Sequence, residues 1–238
     1  MWLAICEPSD VSCLWAVAGL RRLGVEPLQI VLPAELVAGA KVAHHVDAGT
    51  ATMSIRLRDG REISSDLVHG VLNRLLEVPA CWLARFRPRD ADYVAEETQA
   101  MLASAMRALG CPVLNPADPA TLPGRWRGVA EWRWLAAHAG LPTLPYRLST
   151  WKEPAQPEPP ERRTVLVVDG QVYGPGTHDR ALVQGCAALA QDAATPLLGV
   201  DIAAWPDGTW LFDRATGLPD LRTGGLAGLR ALKRALGA

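Results

Sequence analysis

Apolar and polar positions follow two different periods along this chain, and the changes of period mark its elements. A short apolar run over 2–6 precedes a polar turn, apolar residues then recur at helical spacing over 11–23, and 28–32 is a second short apolar run. This order of strand, helix and strand predicts a βαβ unit, which is typical of an α/β domain. Two more strand patterns follow at 42–46 and 51–57.

The middle of the chain combines one strand pattern with two helical ones. The strand pattern covers 67–76, and the helical patterns cover 90–109 and 126–139. A short strand is predicted over 141–148. The segment 149–163 is rich in proline and mixed charge, which favours extended, solvated backbone and predicts a linker.

The C-terminal third predicts two hairpins with a helix between them and another helix at the end. An Asp-Gly turn at 169–170 separates the strands of the first hairpin, and Pro206-Asp207-Gly208 separates those of the second. The predicted elements are strands at 164–168, 171–173, 197–204 and 209–212, a helix from 178 or 179 to 192, and a closing helix with Leu229, Leu232 and Leu236 on one face.

Composition excludes several classes of function. The net charge of −1 gives no bulk attraction to nucleic acid or to an anionic membrane, so neither is a predicted partner. The five cysteines have no metal-ligand spacing, and no apolar run approaches a membrane span, so we expect reduced thiols and a cytoplasmic location. Only three of the 24 basic residues are lysines: Lys41, Lys152 and Lys233.

Several short motifs occur in an order found in a known family. Gly199-Val200-Asp201 lies on one strand of the last hairpin, and Phe212-Asp213-Arg214-Ala215 ends the other. Earlier come Asn73-Arg74 at a strand end, Tyr93 and Glu96 on a helix, and Val113-Leu114-Asn115-Pro116. This succession resembles the ATP-grasp ligases, in particular the peptide-modifying and glutathione-synthetase-like branch.

The resemblance implies an α/β (α+β) fold with an N-terminal βαβ pre-ATP-grasp-like domain and a truncated C-terminal ATP-grasp-like sheet with packing helices. We expect the first domain at 1–118, a connecting helix and strand at 119–148, the linker at 149–163 in place of the family's lid, and the C-terminal domain at 164–238. The lid is the subdomain that carries two phosphate-binding lysines in the family.

The same resemblance implies candidate site residues. The candidates for binding substrate are Asn73, Arg74, Glu96 and Asn115, those for nucleotide are Lys152, Arg163, Arg180 and Arg214, and those for metal are Asp201 and Asp213. No catalytic residue is assigned. An arginine at the metal motif repels a cation and supplies no oxygen ligand, so we expect no cofactor.

Three hypotheses for function follow. The first is a protein that has lost nucleotide chemistry and acts as a binding or partner subunit for a peptide or small acid in a modification pathway, with a homodimer as one arrangement of that subunit. The second is an active ATP- and Mg-dependent carboxylate–amine ligase with a shortened lid. The third is an enzyme that works without nucleotide on the same scaffold.

Overall fold

The computed structural model describes residues 1–39, 41–48, 50–118, 120–147, 149–150, 161–204 and 208–238. It divides into two compact units. The first comprises Met1–Trp126 together with Leu229–Ala238, and the second comprises Arg127–Gly228. The mixed α/β class is confirmed, since both units combine helices with β-sheet.

The predicted βαβ opening of the first unit is confirmed. Trp2–Ile5 (β1) and Leu28–Val31 (β2) pair in parallel, with Val11–Arg22 (α1) between them. The helix begins after Asp10, whose carboxylate accepts a hydrogen bond from the Cys13 backbone N–H at 2.9 Å, and this satisfies one donor of the first turn.

The rest of the first unit adds a parallel and an antiparallel sheet. The elements are Pro33–Val37 (α2), Lys41–Asp47 (β3), Thr50–Arg56 (β4), Glu62–Ser64 (β5), Gly70–Asn73 (β6), Ala80–Leu83 (α3), Ala91–Arg107 (α4) and Val113–Leu114 (β7). The parallel sheet has the order β2-β1-β6-β7, and β3-β4-β5 form the antiparallel sheet. One apolar core joins residues of both sheets with the buried face of α4.

The strand predicted over 67–76 is shorter than expected. The ladder covers only Gly70–Asn73: the Arg74 N–H donates to the Ile5 carbonyl at 2.9 Å, and the Asn73 side chain then accepts from the Leu75 N–H. Gly70 is required at the start, since a Cβ there would lie 2.4 Å from the Leu236 carbonyl oxygen.

The second unit contains an antiparallel sheet and its helices. Its elements are Val129–His138 (α5), Glu161–Val168 (β8), Gln171–Tyr173 (β9), Arg180–Asp192 (α6), Leu197–Ala204 (β10), Trp210–Thr216 (β11) and the start of Gly225–Ala235 (α7), whose residues from Leu229 onward belong to the first unit. The strand order is β11-β10-β8-β9. Both predicted strand pairs are confirmed; residues 205–207 of the second turn lie outside the described residues.

Two predictions for this unit need correction. Residues 141–147 contribute a single bridge, from Thr143 to Phe212, instead of a strand, because Pro142 and Pro145 have no N–H to donate to a ladder; Leu148 is outside the described residues. Strand β8 begins at Glu161, three residues before the predicted start.

The two faces of this sheet differ in chemistry. Val165, Val200, Ile202 and Phe212 are buried against α5 and α6 in one apolar cluster. Since side chains alternate along a strand, Arg162, Thr164, Asp201 and Arg214 share the opposite face, and the register pairs Asp201 with both Thr164 and Arg214. A polar patch therefore covers part of that face.

No helix of the described residues is long and apolar enough to cross a membrane.

Candidate functional site

The carboxylates proposed as metal ligands lie near one another on β10 and β11. The pairing of these strands shifts register between Asp201 and Ile202, so the ladder passes from Arg214 directly to Phe212 and leaves Asp213 as the extra residue of a bulge. A bulge re-aims the side chain of the extra residue. Asp213 is buried, with a 9% exposed surface, whereas its neighbour Arg214 is exposed.

Both oxygens of Asp201 already have partners. Oδ1 accepts a hydrogen bond from Thr164 Oγ1 at 2.6 Å, and Oδ2 accepts one from Arg214 Nε at 2.7 Å. This hydrogen bond and the charge of Asp201 raise the pKa of the Arg214 guanidinium. The predicted nucleotide ligand Arg214 and the predicted metal ligand Asp201 therefore bind each other.

Asp213 lies between two further arginines. Arg162 Nε donates to Oδ2 at 2.9 Å, and the Arg133 guanidinium approaches Oδ1 at 3.5 Å. Arg133 is held in place by the Pro145 carbonyl at 2.6 Å and lies over the Tyr146 ring at 5.3 Å. We call this group, comprising Arg133, Arg162, Thr164, Asp201, Asp213 and Arg214, the arginine–aspartate cluster.

Three members of the cluster were not predicted from the sequence: Arg133, Arg162 and Thr164. Side chains alternate between the two faces of a strand, so a predicted strand that began at Glu161 would have placed Arg162 and Thr164 on the face that carries Asp201. The proline-rich sequence before it favoured a linker there instead. Arg133 reaches Asp213 across 80 residues of chain, and no local pattern reports such a contact.

The cluster does not fit a magnesium ion. Mg²⁺ takes oxygen ligands at about 2.1 Å in near-octahedral geometry. Here guanidinium or hydroxyl donors approach all four carboxylate oxygens, and three positive charges surround two negative ones. No group of three acidic, histidine or cysteine side chains in the described part of the chain could hold a metal.

A pocket of about 570 Å³ opens on the other face of the same sheet. Leu182, Ile202 and Trp210 supply apolar surface, and Glu161, Arg163 and His178 supply polar groups. Arg163, a predicted nucleotide ligand, is bound by both oxygens of Glu161 at 2.9 Å. That pairing lowers the pKa of Glu161 and raises the pKa of Arg163.

Asp179 organises one wall of this pocket. Its Oδ1 caps α6 by accepting from the backbone N–H groups of Ala181 and Leu182, and its Oδ2 accepts from Trp210 Nε1 at 2.8 Å. These hydrogen bonds, that of Leu182 first, lower the pKa of Asp179. Trp210 is thereby oriented at the pocket mouth.

The remaining nucleotide candidates contribute less to this region. Arg180 is the exposed first residue of α6, next to the Asp179 cap. Lys152 lies outside the described residues. Since the other lysines are Lys41 and Lys233 in the first unit, no lysine occurs in the described residues of the second unit.

The predicted substrate ligands of the first unit are brought together in part. Asn73 is fully buried, and its Nδ2 donates to the backbone carbonyls of Asn115 at 2.7 Å and Leu122 at 2.8 Å. Its Oδ1 accepts from the Leu75 N–H at 3.1 Å, so every polar atom of this amide has a protein partner. Asn115, at φ 56°, adopts the left-handed conformation that asparagine tolerates.

Arg74 and Glu96 have opposite environments. Arg74 is buried and donates through Nε to Asp10 Oδ2 at 2.7 Å and through Nη2 to Oδ1 at 3.3 Å, which ties β6 to the start of α1. Glu96 lies on the exposed face of α4. The geometry thus gives Asn73 and Arg74 internal partners and leaves Glu96 in solvent.

Comparison with known proteins shows which fold this architecture resembles. No protein-family model matches the sequence, and no curated protein matches it either. Solved structures do match. Macrocyclase MdnB from Microcystis aeruginosa MRC superposes with a TM-score of 0.69 at 15% identity, over 99% of this chain and 98% of that one.

Two further structures agree. MdnC from the same organism, bound with precursor peptide MdnA, has a TM-score of 0.67 at 10% identity over 97% of each chain. The ATP-grasp ligase PsnB, complexed with a variant of its minimal precursor, Mg and ADP, has a TM-score of 0.66 at 16% identity over 99% of this chain and 97% of that one. The fold is therefore ATP-grasp-like, as the sequence motifs predicted.

Proposed function

We propose that this chain is a cytoplasmic peptide-binding protein with an ATP-grasp-like fold, and that it acts as a partner subunit in peptide modification without nucleotide chemistry of its own. The observation that carries the proposal is the arginine–aspartate cluster. The two carboxylates at the metal positions of the family are neutralised by Arg133, Arg162 and Arg214. A magnesium ion would have to displace these partners and would be repelled by them.

The scarcity of lysine supports the same proposal. Phosphoryl transfer depends on cations and metal positioned around the phosphates. The second unit has no lysine among its described residues, and its arginines Arg163 and Arg214 are committed to Glu161 and Asp201. Binding of a triphosphate to these arginines would require both ion pairs to break.

A peptide ligand is supported by the pocket and by the similar structures. MdnC is bound with its precursor peptide, and PsnB is complexed with a minimal precursor. In this chain, the 570 Å³ pocket combines the indole of Trp210 and the apolar floor of Leu182 and Ile202 with a charged rim. Such a lining suits one apolar or aromatic side chain, while the rim groups bind the flanking backbone.

The test compares nucleotide with peptide on the same purified protein. Titration calorimetry with a non-hydrolysable ATP analogue and Mg²⁺ should give no binding tighter than about 100 μM. Selection from a displayed library of random twelve-residue peptides should enrich sequences whose binding is lost in Trp210→Ala and kept in Trp134→Ala. Trp134 is a matched control, since it is an exposed tryptophan of the same unit outside the pocket lining.

A second candidate is the ATP-dependent carboxylate–amine ligase. It is favoured by the similarity to ligases such as PsnB, seen with Mg and ADP, and by three arginines, two on the sheet and Arg133 on α5, whose charges would attract phosphate. Tight Mg²⁺-dependent binding of the ATP analogue that is lost in both Asp201→Ala and Asp213→Ala would establish this candidate and overturn the first.

A further inference from the structure

Strand β3 is an edge of the first unit's antiparallel sheet, and the described residues leave this edge open. Strand β3 pairs only with β4, over seven residues from Lys41 to Asp47, and is mostly exposed along its length. Val46, near its end, is 64% exposed although it is apolar. A long open edge presents backbone donors and acceptors to any other strand.

The hydrogen bonds of β4 establish which residues of β3 face outward. Met53 accepts from the Ser65 N–H at 3.0 Å and donates to Ser65 Oγ at 3.3 Å, so its backbone groups point toward β5 and away from β3. The opposite residue, His44, is therefore a non-hydrogen-bonded partner. By alternation, the backbone N–H and C=O groups of Val42, His44 and Val46 point away from the sheet.

The β2 edge of the parallel sheet is covered by arginine side chains. On β2, the Leu28 carbonyl accepts from Arg21 Nη2 at 2.7 Å, and the Ile30 carbonyl accepts from Arg61 Nη1 at 3.0 Å. Capping of this kind blocks pairing with another chain. Within the described part of the chain, no hydrogen bond reaches the backbone groups of Val42, His44 or Val46.

We propose that β3 pairs with the β3 strand of a second copy of this chain, antiparallel and centred on His44. In that register the outward-facing residues meet one another: His44 lies opposite the partner's His44, and Val42 lies opposite the partner's Val46. Each such pair exchanges two hydrogen bonds. The two three-stranded sheets become one six-stranded sheet related by a two-fold axis.

The side chains match this register. Lys41 lies three residues before His44 and Asp47 three residues after it, so each lysine meets the partner's Asp47, once at each end of the ladder. Opposite charges directly across a ladder are stabilising and like charges are destabilising. The exposed Val46 is also covered, because it meets the partner's Val42 on the face that carries His44.

The charge pattern distinguishes a second copy from an unrelated strand. A β-strand with a lysine at one end and an aspartate at the other is complementary to its own antiparallel image. His44 is already oriented by Ser104 Oγ at 2.8 Å and by the Thr52 carbonyl at 3.0 Å, so its backbone is held for pairing. This inference is independent of the proposed function, since the strand is in the first unit and the pocket in the second.

Sedimentation velocity at low salt tests the pairing through charge reversal. The wild-type chain should dimerise at concentrations up to about 100 μM. Lys41→Asp and Asp47→Lys should each self-associate about tenfold more weakly or worse, because both cross-strand pairs become repulsive. An equimolar mixture of the two variants restores opposite charges at both ends and should recover the dimer.

Two further variants keep the result decisive. Asp47 also accepts from the Ala48 N–H at 2.7 Å, so Asp47→Lys acts on the turn as well, whereas Lys41→Asp does not. Val46→Pro removes an outward N–H and should give monomer, while Glu97→Lys, a matched charge change on the exposed face of α4, should leave the dimer intact. A monomeric wild type, or a dimer that persists in Lys41→Asp and Val46→Pro, would overturn the proposal.

Discussion

The corner around Asn73 in the first unit and the arginine–aspartate cluster in the second both contain residues predicted to form a site, yet they are built differently. Asn73 is enclosed, and all of its hydrogen-bonding atoms are used by backbone groups. The cluster joins β8, β10 and β11 with Arg133 of α5, and Arg162 and Arg214 within it are 44% and 62% exposed. The first motif is committed to the fold, whereas the second is held by ion pairs that a ligand or a mutation can exchange.

The largest effect is expected at Asn73. Asn73→Asp keeps the shape but replaces the donating NH₂ by a carboxylate oxygen that faces the carbonyls of Asn115 and Leu122. A buried carboxylate that keeps one donor, the Leu75 N–H, and faces two carbonyls should lower the free energy of unfolding by about 4 kcal/mol. Urea denaturation measures it. A loss below about 1 kcal/mol would mean that the corner is open to solvent.

Asp213→Ala should have an intermediate effect. It leaves Arg133, which is 13% exposed, without its carboxylate, although the Pro145 carbonyl still accepts from it. We expect a loss of about 2 kcal/mol in the free energy of unfolding. The paired variant Asp201→Ala should cost less, because the arginine that it frees is the exposed Arg214. Equal losses in the free energy of unfolding for the two variants would show that the exposure of the freed arginine makes no difference.

A smaller effect is expected from the buried thiol of Cys186 in the core of the second unit. Burial raises its pKa from the usual 9.0 of a thiol to about 12. The folded state keeps the thiol neutral, so its stabilising contribution is complete below pH 9 and is lost as the pH rises from 9 to 12. Between pH 8 and pH 10 it should reduce the free energy of unfolding by about 1.4 kcal/mol.

The matched control for this pH dependence is Cys186→Ala. Other groups titrate in the same range, so the difference between wild type and variant is the quantity to measure by denaturation at several pH values. The slope that remains in the variant belongs to those other groups. An unchanged slope would show that the thiol ionises equally in the folded and unfolded chain.

Glu96 should give the smallest effect. Its side chain is on the exposed face of α4, so Glu96→Gln should change the free energy of unfolding by less than about 0.5 kcal/mol. Because Glu96 was predicted as a substrate ligand, the same variant also tests that role. Loss of peptide binding without loss of stability would move the ligand site toward the first unit.

Local patterns predicted most elements of the fold. The bounds of β10 agree with the predicted 197–204. The turn at Asp169-Gly170 was predicted because this pair tolerates positive φ, and both residues adopt positive φ in the structure. The strand predicted at 141–148 failed, since an apolar run with two prolines can supply one bridge but no ladder. The strand β8 started early because pairing with β10 outweighed the proline-rich sequence that precedes it.

The candidate site could be predicted only in part. Asp201 and Asp213 were predicted because each belongs to a short motif of consecutive residues, the first on β10 and the second on β11. Their partners Arg133 and Thr164 come from other elements, 80 and 37 residues away in the chain. Contacts at such separation leave no periodic signal.

The sequence alone determined the order of strands and helices, the family whose fold they resemble, and the residue types at the positions of the predicted metal ligands, because each of these is written in neighbouring positions. Only the tertiary structure decided that every polar atom of the Asn73 amide has a protein partner, that arginines neutralise Asp201 and Asp213, and that the described residues leave the edge of β3 open. Those properties depend on which residues distant in the chain come into contact. Burial then determines whether a polar group is used within the fold or is accessible to a ligand.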